Sequence, residues 1–502
     1  MTIIPIVSHL RPLMHIPARC WWALTHRPPP PQRPSLHHLA QNPASLPLFV
    51  RESSIAMRYL HLLGPPAWHR FPERDLETDW GIPTLPYGPF VAACLVKLDQ
   101  QLPYMSNLRQ YLVDHPALTW VLGFPLVPSH QYAWGFDVDA SLPTQRHFTR
   151  MLRRVPNTSL QFLLGNTVSL IQAELHPEVD GFGQSMSLDT KHIIAWVEEN
   201  NPKAYVSDRY NKDKQPKGDP DCRLGCKRRH NQRASSQKPP PTPSKNPQPA
   251  DTVSVGEFYW GYASGVVATK VPGWGEFVLA ELTQPFDQPD VSYFFPLLAD
   301  VERRLGFRPK YGAFDAAFDA FYVYQYFHQA GGFAAVPFSE RGGHKDRHFD
   351  PEGLPLCPAG LAMPLKYTFT DRSGLVEHEA GRYVCPLRFP EANGEPCPVK
   401  HKRWPKGGCV TTMATSIGAR LRYQLDRESD AYKHVYKQRT ANERVNSQAV
   451  ELGIERPRLR NGAAIANQNT LIYVLINLRG LRRVRQKKAG QPPEALPDDP
   501  AE

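Results

Sequence analysis

The order in which apolar periodicity changes between residues 186 and 452 constrains this 502-residue chain most. Alternation at Met186–Thr190, Phe258–Lys270 and Gly275–Leu282 reads as three successive strands. A helical repeat over Tyr293–Leu305 follows, then a strand at Tyr311–Asp315 and a helix at Phe318–Ala330. A short strand at Phe333–Phe338 precedes a long helical stretch from about Ala419 to Leu452. Three strands without an intervening helix imply an antiparallel meander, and strands alternating with helices imply parallel neighbours. The class is α/β, with a mixed sheet and helices around it.

Other segments frame this core. Residues 1–50 hold ten of the 52 prolines and read as a disordered Pro-rich tail. Residues 51–180 read as an all-α N-terminal domain for DNA binding or dimerisation. In it, Thr144 is an N-cap, and Phe148, Met151, Leu152 and Val155 follow at helical spacing until Pro156. A second helix from Asn157 or Thr158 carries Leu160, Leu163, Leu164, Val168 and Ile171. This hairpin is either plain helix packing or, given Arg146, Arg150, Arg153 and Arg154, a DNA-binding pair. The core's first part is 181–340, with a basic linker insertion at 202–250. Residues 341–415 form a β-rich insertion, 416–480 the core's second part, and 481–502 a basic, then acidic, tail.

A net charge of +11 points to a polyanionic partner. No run approaches about 18 apolar residues, so no spanning helix is expected. Eight cysteines are too sparse for a disulfide scaffold and fit a reduced compartment. There is no glycine-rich phosphate loop and no Ser–His–Asp context.

Carboxylates at adjacent strand ends of such a sheet can hold two divalent cations, which stabilise the attacking and leaving oxygens of phosphoryl transfer. Oxygen ligands suit Mg²⁺ or Mn²⁺. Asp189 follows the first strand, and Asp315 ends a later one, with Asp319 as a competing acid. On the long helix, Tyr432, Tyr436, Arg439, Glu443, Asn446 and Val450 share a stripe. Glu443 is either a cation ligand beside a phosphate-binding Arg439 or half of a solvated Arg–Glu pair.

The strand order is that of a ribonuclease H-like sheet, and the motifs add a resemblance. Tyr436, Arg439 and Glu443 match the Tyr–Arg–Glu helix signature of bacterial insertion-sequence DDE transposases of the insertion-sequence-four-like group. The lysine that ends the signature is replaced by Val450. Leu188-Asp189-Thr190 and Asp315-Ala-Ala-Phe318-Asp319 resemble the contexts of the two family aspartates. The resemblance covers about residues 100–480.

It implies a ribonuclease H-like catalytic domain in which Asp189, Asp315 and Glu443 are catalytic and hold Mg²⁺ or Mn²⁺. It implies cleavage of double-stranded DNA at terminal inverted repeats and transfer of 3′-hydroxyl ends to target DNA, by a homodimer on DNA. The location implied is the bacterial cytoplasm, at the nucleoid. Tyr436 and Arg439 would contact DNA, and Arg444 could stand in for the missing lysine. The alternatives are a catalytically decayed remnant that only binds DNA and a metal-dependent nuclease on the same fold.

Further DNA contacts are expected at Lys402 and Arg403, in a basic aromatic run, and at Arg482 and Arg483, near the C-terminal end. Both runs could equally be solvated. Cys357, Cys385, Cys397 and Cys409 fall within 53 residues and are candidates for structural Zn²⁺, although none forms a Cys-x-x-Cys pair.

Overall fold

The computed structural model describes residues 35–74, 85–227, 257–339 and 347–490. They form a mixed α/β structure that divides into two compact units. One contains residues 1–174, 193–262 and 448–502, and the other residues 175–192 and 263–447.

The first unit is mainly helical. Its principal helices are α1 (Ser54–Leu63), α2 (Tyr87–Asp99), α3 (Met105–Asp114), α4 (Gln145–Arg154) and α5 (Asn157–Leu175). Thr144 caps α4 by accepting the His147 N–H, and Phe148, Met151, Leu152 and Val155 are all buried. Each such side chain contributes about 1.5–3 kcal/mol through apolar burial. Residues 35–50, read from sequence as tail, are structured. Ser35 caps a helix at Leu36–Gln41, and Leu36, Leu39, Leu46 and Val50 are buried. The tail's remaining residues, 1–34, lie outside the described residues.

The 27-residue helix Gly462–Lys488 packs against α1, α2 and α4. Its Asn467 amide donates to the carbonyls of Leu152 and Val155, both at 2.7 Å. Those carbonyls lose their helical donors where Pro156 ends α4. Asp99, with a side chain only 2% exposed, accepts from Arg58 at 2.8 Å, the Tyr59 hydroxyl at 2.9 Å and Arg479 at 2.7 Å.

The second unit carries most of the sheet. β1 (Ser185–Ile194), β2 (Arg223–Lys227), β3 (Glu257–Val271), β4 (Gly275–Pro285), β5 (Tyr311–Ala313) and β6 (Phe333–Ala335) make six strands. Their order is β2-β3-β1-β5-β6, and β4 also pairs with β3. The turn at 272–274 is short enough only for an antiparallel β3–β4 pair. β1–β5 and β5–β6 are parallel. β2 was not foreseen. It falls in the stretch read as a linker, where Cys222 and Leu224 are buried and Leu224 pairs with Trp260. Residues 228–250 of that stretch are outside the described residues.

Helix α6 (Phe294–Leu305) packs on β4, and α7 (Phe321–Gln329) packs on β6. Gly312 allows β5 to sit against this layer, because a Cβ there would lie 2.4 Å from both Phe314 and Phe327. The insertion forms a separate antiparallel sheet of β7 (Leu365–Asp371), β8 (His378–Val384) and β9 (Val410–Ala414).

The expected single helix from Ala419 to Leu452 is three helices: α8 (Ile417–Gln424), α9 (Asp430–Tyr436) and α10 (Thr440–Glu451). Ser429 caps α9, and a 3₁₀ turn at Lys437–Arg439 separates α9 from α10. α9 packs on β5 and β6 through Tyr432 and Val435. No helix among the described residues is long and apolar enough to cross a membrane.

Candidate active site

Two carboxylates meet where β1 outruns β5. Ser187 is level with Ala313 in the parallel pair. Continuing each strand by two residues sets Asp189 beside Asp315 on one face, because side chains alternate with a period of two. Asp189 therefore lies within β1 rather than at its end, level with the point where its neighbour has finished. Asp315 caps the following 3₁₀ turn, accepting the Ala317 N–H at 2.9 Å.

Burial above all, and then the charges of Asp315 and Asp290, push the Asp189 carboxyl up from its ordinary 3.8 to about 6. The Thr190 N–H, at 2.9 Å, and the Arg439 charge oppose this. Asp290 is a third acid that the sequence did not single out. It opens a 3₁₀ turn, and its Oδ1 accepts the Thr190 hydroxyl at 2.9 Å.

Arg439 brings positive charge to the pair. Burial disfavours its ionised form, but the hydrogen bond to Tyr436 and the charges of Tyr436, Asp189 and Asp315 outweigh that, and its pKa is raised. Tyr436 and Arg439 are in contact, with Nη1 donating to the hydroxyl at 3.4 Å.

Asn446, on α10, also reaches the pair. Asn446 Nδ2 donates to Asp189 Oδ2 at 3.2 Å, and its Oδ1 is buried without a partner among the described residues. Asn442, fully buried beside Ala441 and Val445, has neither side-chain polar atom paired among the described residues. A polar residue within an apolar helix stripe is the signal that could have marked it.

Glu443 does not join the carboxylates. It lies in the first turn of α10, is exposed, and its side chain makes no hydrogen bond or ion pair among the described residues. Nor do any three His, Cys, Asp or Glu side chains among the described residues form a ready metal-ligand set. Asp319, the competing acid, is consumed structurally. Arg422 grips it with Nε at 2.7 Å, and the Tyr324 hydroxyl and Ser339 N–H complete its shell. Burial alone would raise its carboxyl, but these donors hold it below the usual value.

The remaining candidates are scattered. Arg444 is not free to replace a lysine, because it donates to Glu276 on β4 at 2.7 Å. Val450 is 38% exposed. Lys402 and Arg403 are exposed in the insertion. Arg483 is exposed, whereas Arg482 is half-buried, and burial lowers its pKa. Cys357, Cys385 and Cys409 are buried together, and Cys397 is half-buried. No protein-family model matches the chain, and no curated protein does.

Proposed function

We propose that this chain is a metal-dependent DNA transposase with a DDE-type site on a ribonuclease H-like sheet. The observation that carries the reading is the approach of Asp189, in β1, to Asp315, two residues past the parallel neighbour β5, with Arg439 and Asn446 beside them. The strand order β4-β3-β1-β5-β6, with a hairpin first and short parallel strands last, supports the fold part of the proposal.

Two adjacent carboxylates and a buried, unpartnered amide oxygen suit a hard divalent cation. Asp189 and Asp315 would hold Mg²⁺ or Mn²⁺, which when bound supplies charge stabilisation at the attacking and leaving oxygens. Glu443 is the third acid of the reading. Asn446 orients Asp189. Tyr436 orients Arg439, whose guanidinium is suited to a DNA phosphate. Asp189 must be ionised to act as a ligand, so activity is expected to rise through about pH 6.

Exposed Lys402, Arg403 and Arg483 would add contacts to the backbone of double-stranded DNA. Two element ends require two active sites, hence a homodimer on DNA, at the bacterial nucleoid. The test is Mg²⁺-dependent cleavage and joining of the element's own inverted-repeat ends, wild type against Asp189→Asn. Equal activity of the two would sink the assignment.

A second reading, a decayed remnant that binds DNA without cutting it, is favoured by the exposed Glu443 and by Val450. Binding of the terminal repeats without cleavage would select it. Cleavage without joining would instead mark a nuclease.

A further inference from the structure

The insertion is poor in the means of holding itself together. Over residues 347–415 its core consists of Cys357, Met363, Tyr383, Cys385, Leu387 and Cys409, with a few partly buried neighbours. β7 is exposed on nearly every residue, including Tyr367 at 51% and Phe369 at 40%. A sheet with so little apolar burial of its own would gain from a covalent or metal staple. Half of its six core residues are cysteines, and no disulfide joins them.

The local backbone repeats around these cysteines. Cys357, Cys385 and Cys397 are each followed by proline. Each opens a tight turn whose first carbonyl accepts the N–H three residues on: Gly360 to Cys357 at 2.9 Å, Arg388 to Cys385 at 3.1 Å and Lys400 to Cys397 at 3.1 Å. Gly360 and Lys400 are left-handed, with φ of 76° and 45°. For lysine that conformation is uncommon. Cys409 follows two left-handed glycines, and a Cβ on Gly408 would lie 2.6 Å from the Cβ of Cys385. The glycine therefore lets the Cys409 segment lie directly on Cys385.

The sulfurs respond to this placement. Burial raises the Cys409 thiol to about 12, together with its contacts to Cys385 and Cys357, with which it shares thiol hydrogen bonds. The Cys397 sulfur accepts the His401 N–H at 3.5 Å.

We propose that Cys357, Cys385, Cys397 and Cys409 form a structural zinc site that staples the insertion. As the side chains stand, the buried thiols bond one another rather than forming a ligand set. Binding exchanges those contacts for four Zn–S bonds and releases the thiol protons to solvent, with no change of oxidation state. Cys397, whose proline turn matches those of Cys357 and Cys385, would supply the fourth sulfur.

The test uses the full chain without DNA, so its outcome is independent of the transposase reading. Purified protein is assayed for zinc, then stripped with a chelator and titrated with Co²⁺. About one zinc per chain and a thiolate-to-cobalt charge-transfer band are expected. Cys357→Ser and Cys397→Ser are each expected to hold less than about half an equivalent, and Cys226→Ser, an exposed cysteine elsewhere, to keep the full amount. The wild-type cobalt spectrum needs no variant and stands even where a substitution prevents folding. Less than about half an equivalent in the wild type with no cobalt–thiolate band would overturn the site. Full zinc in a folded Cys397→Ser would overturn the four-cysteine assignment.

Discussion

Replacing Asp189 by asparagine is expected to stabilise the protein while abolishing its chemistry. The carboxyl is held at about 6 against an ordinary 3.8, chiefly by burial, then by the neighbouring acids. That difference corresponds to about 3 kcal/mol. The unfolded chain ionises this group near pH 4 and the folded chain near pH 6, so its contribution to stability falls as pH rises through that window and stays low above it. Asparagine cannot ionise and keeps an acceptor for the Thr190 N–H. Asn446 can turn its amide so that the unpartnered Oδ1 accepts from the new NH₂. Losing a charged acceptor returns about 1 kcal/mol, which leaves a net gain of about 2 kcal/mol. For a unit of this size that raises the melting midpoint by about 4–8 °C at pH 7.5. The assay is thermal unfolding in a chelating buffer from pH 4 to pH 8. The gain should shrink towards zero near pH 4. A variant that melts at or below the wild-type temperature at pH 7.5 would refute the claim that Asp189 is strained by its surroundings.

Three other outcomes are expected. Asn446→Asp sets a like charge against Asp189, so the pH at which Mn²⁺ binding appears should move up by about one unit, whereas Asn446→Ala should not move it upward. Identical pH profiles for the two variants would remove the orienting role. Asp319→Ala strands Arg422 and the Tyr324 hydroxyl and should destabilise by about 3–5 kcal/mol, read as a lower unfolding midpoint, while Asp315→Asn leaves the midpoint near that of the wild type or above it. Asp99→Asn leaves Arg58 and Arg479 facing each other without a carboxylate and should cost about 3 kcal/mol. Faster proteolysis within Gly462–Lys488 would be its signature.

Local pattern carried much of the architecture. The α4–α5 hairpin was legible because its cap, its apolar spacing and Pro156 all agree. The β3–β4 hairpin was legible from two long apolar runs around a short turn. Asp189 and Asp315 were legible from the apolar runs that precede them, although Asp189 lies within β1 and not at its end. What escaped depended on distant partners. Asn446 matters because β1 lies opposite it, 257 residues away in sequence. Asp290 matters through Thr190, 100 residues away. The break at Lys437–Arg439 has no proline or glycine to announce it. Arg444 read as a stand-in for the missing lysine, and only the fold shows that Glu276 holds it. Residues 35–50 were misread because their prolines outweighed a modest apolar repeat.

The Asn467 bridge to the end of α4 sets a clock on synthesis. The amide and the Leu152 carbonyl are 315 residues apart. At about 5–20 residues per second, a ribosome takes roughly 15–60 s to deliver the one after the other. Throughout that interval the faces of α1, α2 and α4 await the helix that covers them, and α4 ends on carbonyls with no protein donor. A copy interrupted by a late stop codon would never leave that state. Chaperone demand should therefore be greatest before residue 467 emerges, and loss of the last helix should produce insoluble chain rather than a trimmed, soluble protein.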